Sequence, residues 1–97
     1  MSAQKIDIEN VNVPGRTYRV NAEKYQATRK ALLTLLPENP PGLTQKEIQQ
    51  QIPEHLPDDL FPGGQKSSWW AKTVQLDLEA KQLLVREATK PLRWHRQ

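Results

Sequence analysis

Proline and glycine punctuate this 97-residue chain so closely that no regular element can run long. Pro37 stops whatever precedes it. The stretch "PENPPG" (37–42) reads as a rigid, solvated connection, and Pro53 closes the segment after it. The stretch "PEHLPDDLFPGGQ" (53–65) then reads as a long, irregular connection holding at most one helical turn, with Leu56, Leu60 and Phe61 as its apolar anchors. What remains are short lengths of chain whose hydrophobic period decides each in turn.

In "KIDIENVNVPGRTYRV", Ile6 and Ile8, then Tyr18 and Val20, alternate with polar residues at the period of half-buried strands. Pro14 and Gly15 between them have the fixed φ and the positive φ that a type II turn needs, which predicts an N-terminal β-hairpin over 1–20. Asn21 can cap the helix that follows, with Val20 and Tyr25 at staple positions. Tyr25, Leu32, Leu35 and Leu36 share its apolar side, while Lys24, Lys30 and Thr34 lie away from it. Thr44 and Glu47 stand in capping-box spacing, with Leu43 and Ile48 as a second staple, so a short helix carrying Ile48 and Ile52 is predicted before Pro53.

A third helix is expected from Ser67 or Ser68, either of which can cap, to about Lys81. At helical pitch Trp70, Val74 and Leu78 form one stripe, and Trp69, Leu76 and Ala80 form another. Ser68, Lys72, Gln75 and Glu79 make up a narrow polar face. The first stripe leads in register to Leu83 and is assigned to the core. Trp69 is expected at the core's margin beside Leu60 and Phe61. Its alternative is an exposed anchor for a protein or a nucleobase. "LLVRE" and "LRWHR" flank "ATKP" as a second hairpin, with Lys90 at its tip and Arg86, Arg93 and Arg96 along its arms.

A chain of this size holds one domain, 1–97, with a hairpin (1–20), a helical part (21–82) and a C-terminal hairpin (83–97). Without cysteine it has neither disulfide framework nor thiolate chemistry. No signal-like run opens it, and nothing approaches the roughly 20 apolar residues of a membrane span, so a soluble cytoplasmic protein is expected. The net charge of +3 divides unevenly, with +3 over residues 1–36, −4 over 37–65 and +4 over 66–97. A basic C-terminal third of this kind attracts polyanions. Catalytic constellations are missing. His55 and His95 lack further imidazoles at ligand spacing, and His95 is expected as a solvated residue of the hairpin. Asp58 and Asp59 suit a turn cap better than a shared proton, and "FPGGQK" is a turn without the full P-loop pattern. The expectation is a non-enzyme with no metal, no cofactor and no small-molecule substrate.

Helix, short capped helix, longer helix and basic hairpin is the order of a winged helix-turn-helix domain, an α+β fold, here with an N-terminal β-hairpin added. "LTQKEI" and "VQLDLEAKQLLVREATKPLRWHR" resemble its second helix and its third helix running into the wing. The stretch Leu78–Leu83 is similar to the helix end of the N-terminal winged-helix domain in Mrr-type restriction endonucleases, with Gln82 where glycine is expected. Over nearly its whole length, through "NVPGRTYRVNAEKY", "DLFPGGQKSSWWAKTVQLDLEAK" and "PLRWHR", the chain resembles a small bacterial family of unknown function.

The resemblance implies two uses. In one, duplex DNA is bound by Lys66, Ser67, Ser68, Lys72 and Gln75 of the third helix together with Arg86, Lys90, Arg93 and Arg96 of the wing, with salt-sensitive affinity on the order of 10⁻⁴ to 10⁻⁶ M. In the other, Trp69 and Leu76 meet a protein partner or a second copy, without nucleic acid. The two stand level on sequence alone.

Overall fold

A computed structural model describes residues 4–97. Strands β1 (Lys5–Glu9) and β2 (Thr17–Asn21) pair antiparallel, with Ile6 opposite Val20 and Ile8 opposite Tyr18. The turn between them closes as its residues require. Gly15 has φ +82°, and the Arg16 N–H donates to the Val13 carbonyl at 3.4 Å.

Asn21 ends β2 and caps α1 (Ala22–Leu35), its Oδ1 accepting from the Lys24 N–H at 3.0 Å. Tyr25, Thr28, Ala31 and Leu32 are the buried face of α1, which stops before Pro37. The chain then forms a two-residue strand, β3 (Leu43–Thr44), that alternation could not reveal because two residues carry no period. Helix α2 (Gln45–Gln51) follows with the full capping box: Thr44 Oγ1 accepts from the Glu47 N–H, and Glu47 Oε1 accepts from the Thr44 N–H.

The connection to the third helix holds two 3₁₀ turns, Ile52–His55 and Pro62–Gly64, where one was expected. Helix α3 (Ser67–Ala80) is not capped by either serine. Its N-cap is Lys66 in the left-handed region at φ +63°, and Ser67 lies inside the first turn, buried. At its other end the Gln82 N–H donates to the Glu79 carbonyl and the Leu83 N–H to the Leu78 carbonyl, the paired bonds of a Schellman end. Gln82 itself takes φ +63°, the conformation for which glycine is the usual choice.

Strands β4 (Leu84–Glu87) and β5 (Arg93–Arg96) pair antiparallel, and β3 joins the outer side of β5, giving the order β3-β5-β4. The C-terminal hairpin is thus part of a three-stranded sheet. Gly42 makes the third strand possible: a Cβ there would sit 2.0 Å from the Trp94 carbonyl oxygen.

The result is a mixed α+β fold of three α-helices and two small sheets, in which α3 packs against α1, α2, β1 and β4. Leu32, Ile48, Ile52, Ala71, Val74 and Leu78 are fully buried, and Phe61 meets Trp70 edge-on with ring centres 6.2 Å apart. Each such aliphatic side chain contributes about 1.5–3 kcal/mol by leaving water. The expected core stripe of Trp70, Val74 and Leu78 is therefore the one that is buried.

Candidate functional site

The outward side of α3 is where a partner would be read, and the N-terminal hairpin lies along it. A single buried carboxylate organises that contact. Asp77, wholly buried, accepts from the Tyr25 hydroxyl at 2.5 Å, from the Glu9 N–H at 2.8 Å and from the Lys81 ammonium. The Lys81 ammonium also lies 5.8 Å from the centre of the Tyr25 ring. Burial, and then the hydrogen bond to the Asp77 carboxylate, push the Tyr25 phenol well above its ordinary range. One residue back along α3 the Val11 N–H donates to the Leu76 carbonyl at 3.3 Å. Strand β1 and the loop after it are thus bonded to α3 at two successive residues.

Of the residues expected to contact DNA, Lys72, Gln75 and Arg86 line one cleft of about 270 Å³ together with Gln45, Glu79 and Trp94, and the others do not line it. Gln75 is 1% exposed, and its amide exchanges two hydrogen bonds, each of 3.0 Å, with that of Gln45, so it is not a free polar group on the face of α3. Ser67 is buried in the first turn. Glu79 is sequestered rather than turned toward solvent. It accepts from Trp94 Nε1 at 2.7 Å and from Arg86 at 3.1 Å, while the Arg86 guanidinium lies 5.5 Å from the Trp94 ring centre.

Arg93 is turned inward to the Gly42 carbonyl at 3.1 Å and to Glu47 at 3.5 Å. Arg96 donates to the Leu36 carbonyl at 2.8 Å and pairs with Glu38, at the far end of the sheet. Lys66, Ser68, Lys72, Arg86 and Lys90 are exposed. The arginines of β4 and β5 pair with groups on α2, on α3 and in the segment after α1; sequence spacing could show their charge but not these partners.

Two further groups carry shifted titrations. His95 is buried rather than solvated. Its Nε2 meets Glu87 at 3.0 Å and its Nδ1 meets the Arg96 carbonyl at 2.8 Å, and these two acceptors, Glu87 first, raise its pKa. The Thr44 N–H, and then its hydroxyl, hold the Glu47 carboxyl below the ordinary carboxylate range. Asp58 caps its turn, accepting from the Gly63 N–H at 3.0 Å. Among the described residues no group of three His, Cys, Asp or Glu side chains could hold a metal ion, and no helix is long and apolar enough to cross a membrane.

Trp69 is 55% exposed, so its place is not the core's margin. It stands edge-on to buried Trp70, ring centres 5.2 Å apart, and forms a ridge between two clefts. One, of about 260 Å³, lies between α3 and the hairpin, and its lining includes Ile8, Glu9, Tyr18, Val20, Trp69 and Leu76. The other, of about 460 Å³, lies at the start of α3 between Lys24, Lys66, Trp69 and Trp70. The second apolar stripe of α3 is therefore half covered by the chain's own hairpin, with its tryptophan left in the open. No periodicity within α3 could show that, because the cover comes from residues 60 positions away.

Residues 5–94 match a protein family described as a family of unknown function (DUF6958), and the chain belongs to that family. No curated protein and no solved structure matches it.

Proposed function

We propose that this family member is a non-catalytic, winged-helix protein-docking module that receives a partner protein at Trp69. Several features support the winged-helix assignment. The short strand β3 stands between α1 and α2, the sheet order is β3-β5-β4, and a left-handed Gln82 occupies the glycine place of the pattern that Mrr-type domains share. Within that fold the use of α3 is the question.

A helix with its side chains is about 10–12 Å across and fills a major groove about 12 Å wide. Here α3 already carries a second backbone bonded to Leu76 and Asp77, and the amide best placed to read a base is held by Gln45. The observation that carries the protein-docking reading is Trp69, a large aromatic left 55% exposed on the lip of an apolar cleft. Tryptophan is enriched among interface hot spots, where truncation costs about 2 kcal/mol or more, roughly thirtyfold in affinity.

Two measurements test the proposal together. Peptides selected by display on the intact protein are titrated into wild type and into Trp69→Ala, with loss of about thirtyfold expected. Amide shifts are recorded with mixed-sequence duplex DNA at low salt, where no ordered set of shifts is expected. Salt-sensitive shifts gathered at Lys66, Ser68, Lys72 and Lys90, with no peptide dependent on Trp69, would return the nucleic-acid reading.

A further inference from the structure

Taking Trp69 as the docking point, we infer that the partner segment is an acidic peptide that seats one large apolar side chain between Trp69 and the N-terminal hairpin and lays its carboxylates against Lys24 and Lys66. This rests on the docking reading above and adds the chemistry of the occupant. The two clefts meeting at Trp69 differ in character. The hairpin side is lined by Ile8, Tyr18, Val20 and Leu76, with Asn10 and Thr73 as neutral polar residues and Glu9 as its one acidic residue. The other side joins two indoles to two ammonium groups.

Among the described residues neither Lys24 nor Lys66 has a carboxylate within ion-pair distance; other surface cations, Lys72 and Lys90 among them, also lack one, but Lys24 and Lys66 are the two that line the cleft at Trp69. The Lys24 ammonium lies 5.9 Å from the Phe61 ring centre, which places its charge over an aromatic face. Uncompensated cations on one side of the ridge and Glu9 on the other set a direction for a ligand. Its carboxylates are attracted to the lysine side and repelled from the hairpin side, and the apolar cleft is left for a hydrocarbon or aromatic side chain. A basic or neutral segment gains nothing at Lys24 and Lys66.

The test uses three short peptides with one shared leucine anchor and with glutamate, glutamine or lysine at the flanking positions. Each is titrated against the full chain by tryptophan fluorescence and amide shifts at low salt. The glutamate peptide is expected to bind about fivefold more tightly than the glutamine peptide, the scale of two exposed ion pairs, and to lose that advantage at high salt. Lys24→Glu with Lys66→Glu is expected to reverse the order in favour of the lysine peptide. Lys66→Glu alone, at an exposed position, gives half the effect if the double variant does not fold.

Equal binding of all three peptides, abolished by Trp69→Ala, would overturn this inference while leaving the docking reading intact. Binding by none of them, or binding indifferent to Trp69→Ala, would overturn both. Salt-sensitive self-association in sedimentation velocity, lost in Lys66→Glu, would assign the site to a second copy of the chain and overturn the acidic-peptide assignment.

Discussion

Replacing Asp77 with alanine should release the N-terminal hairpin from α3 and destabilise the whole domain. Asp77 is wholly buried and serves three donors. Without it the buried Tyr25 hydroxyl loses a bond to a charged acceptor, at about 1.5–3 kcal/mol, and the Glu9 N–H loses another, at about 1 kcal/mol. Lys81, more than a third exposed, regains water and adds little. The loss is therefore about 2.5–4 kcal/mol, against the roughly 5–15 kcal/mol that stabilises a domain of this kind.

In urea unfolding followed by tryptophan fluorescence this should lower the midpoint by about 2 M. Tyr25→Phe keeps the ring and leaves Asp77 with two donors, and should cost about half as much. Hydrogen exchange separates a local from a general effect. In Asp77→Ala the Glu9 and Val11 amides should lose protection before those of the α3 core. A loss below about 1 kcal/mol, or protection at Glu9 and Val11 falling only in step with the rest of the chain, would refute the claim that this carboxylate holds the hairpin in place.

Gly42→Ala should cost about 2–4 kcal/mol and weaken the pairing of β3 with β5, because its methyl would meet backbone at Trp94 while its φ of +89° stays strained. Gly15→Ala, with open space around it, should cost only about 1 kcal/mol by the same urea assay. Gln82→Gly should stabilise by about 0.5–1 kcal/mol, since Gln82 holds φ +63° at the end of α3; no gain in the urea midpoint would refute that. Because His95 has its pKa raised in the fold, the stabilisation it supplies is complete below the ordinary imidazole value near 6.5 and is lost as pH rises through the folded-state value. Thermal unfolding should show stability falling with pH over that window, and Glu87→Gln should flatten the dependence.

Much of the local structure was legible in the chain. The Pro14-Gly15 turn, the Asn21 cap and the Thr44–Glu47 box form as read, because each is completed by residues within a few positions of one another. The buried stripe of Trp70, Val74 and Leu78 follows from helical pitch alone. The candidate site was legible only in part. Trp69 could be picked out as the odd tryptophan, but its exposure depended on which neighbour covered the second stripe. Gln75 looked free because its partner, Gln45, is 30 residues away, and Arg93 and Arg96 looked like a basic wing because Gly42 and Leu36 are farther still.

Sequence by itself determined the Pro14-Gly15 turn and the starts of α1 and α2, since caps, prolines and periodicity act over one or two turns of backbone. Only the tertiary structure decided which side chains remain for a partner. A buried charge such as Asp77, or a hidden amide such as Gln75, is stable only once distant donors have been brought to it, and the folded chain uses up the groups it pairs this way. At the candidate site it leaves an exposed Trp69, an exposed Lys66 and a half-buried Lys24, with neither lysine in an ion pair among the described residues.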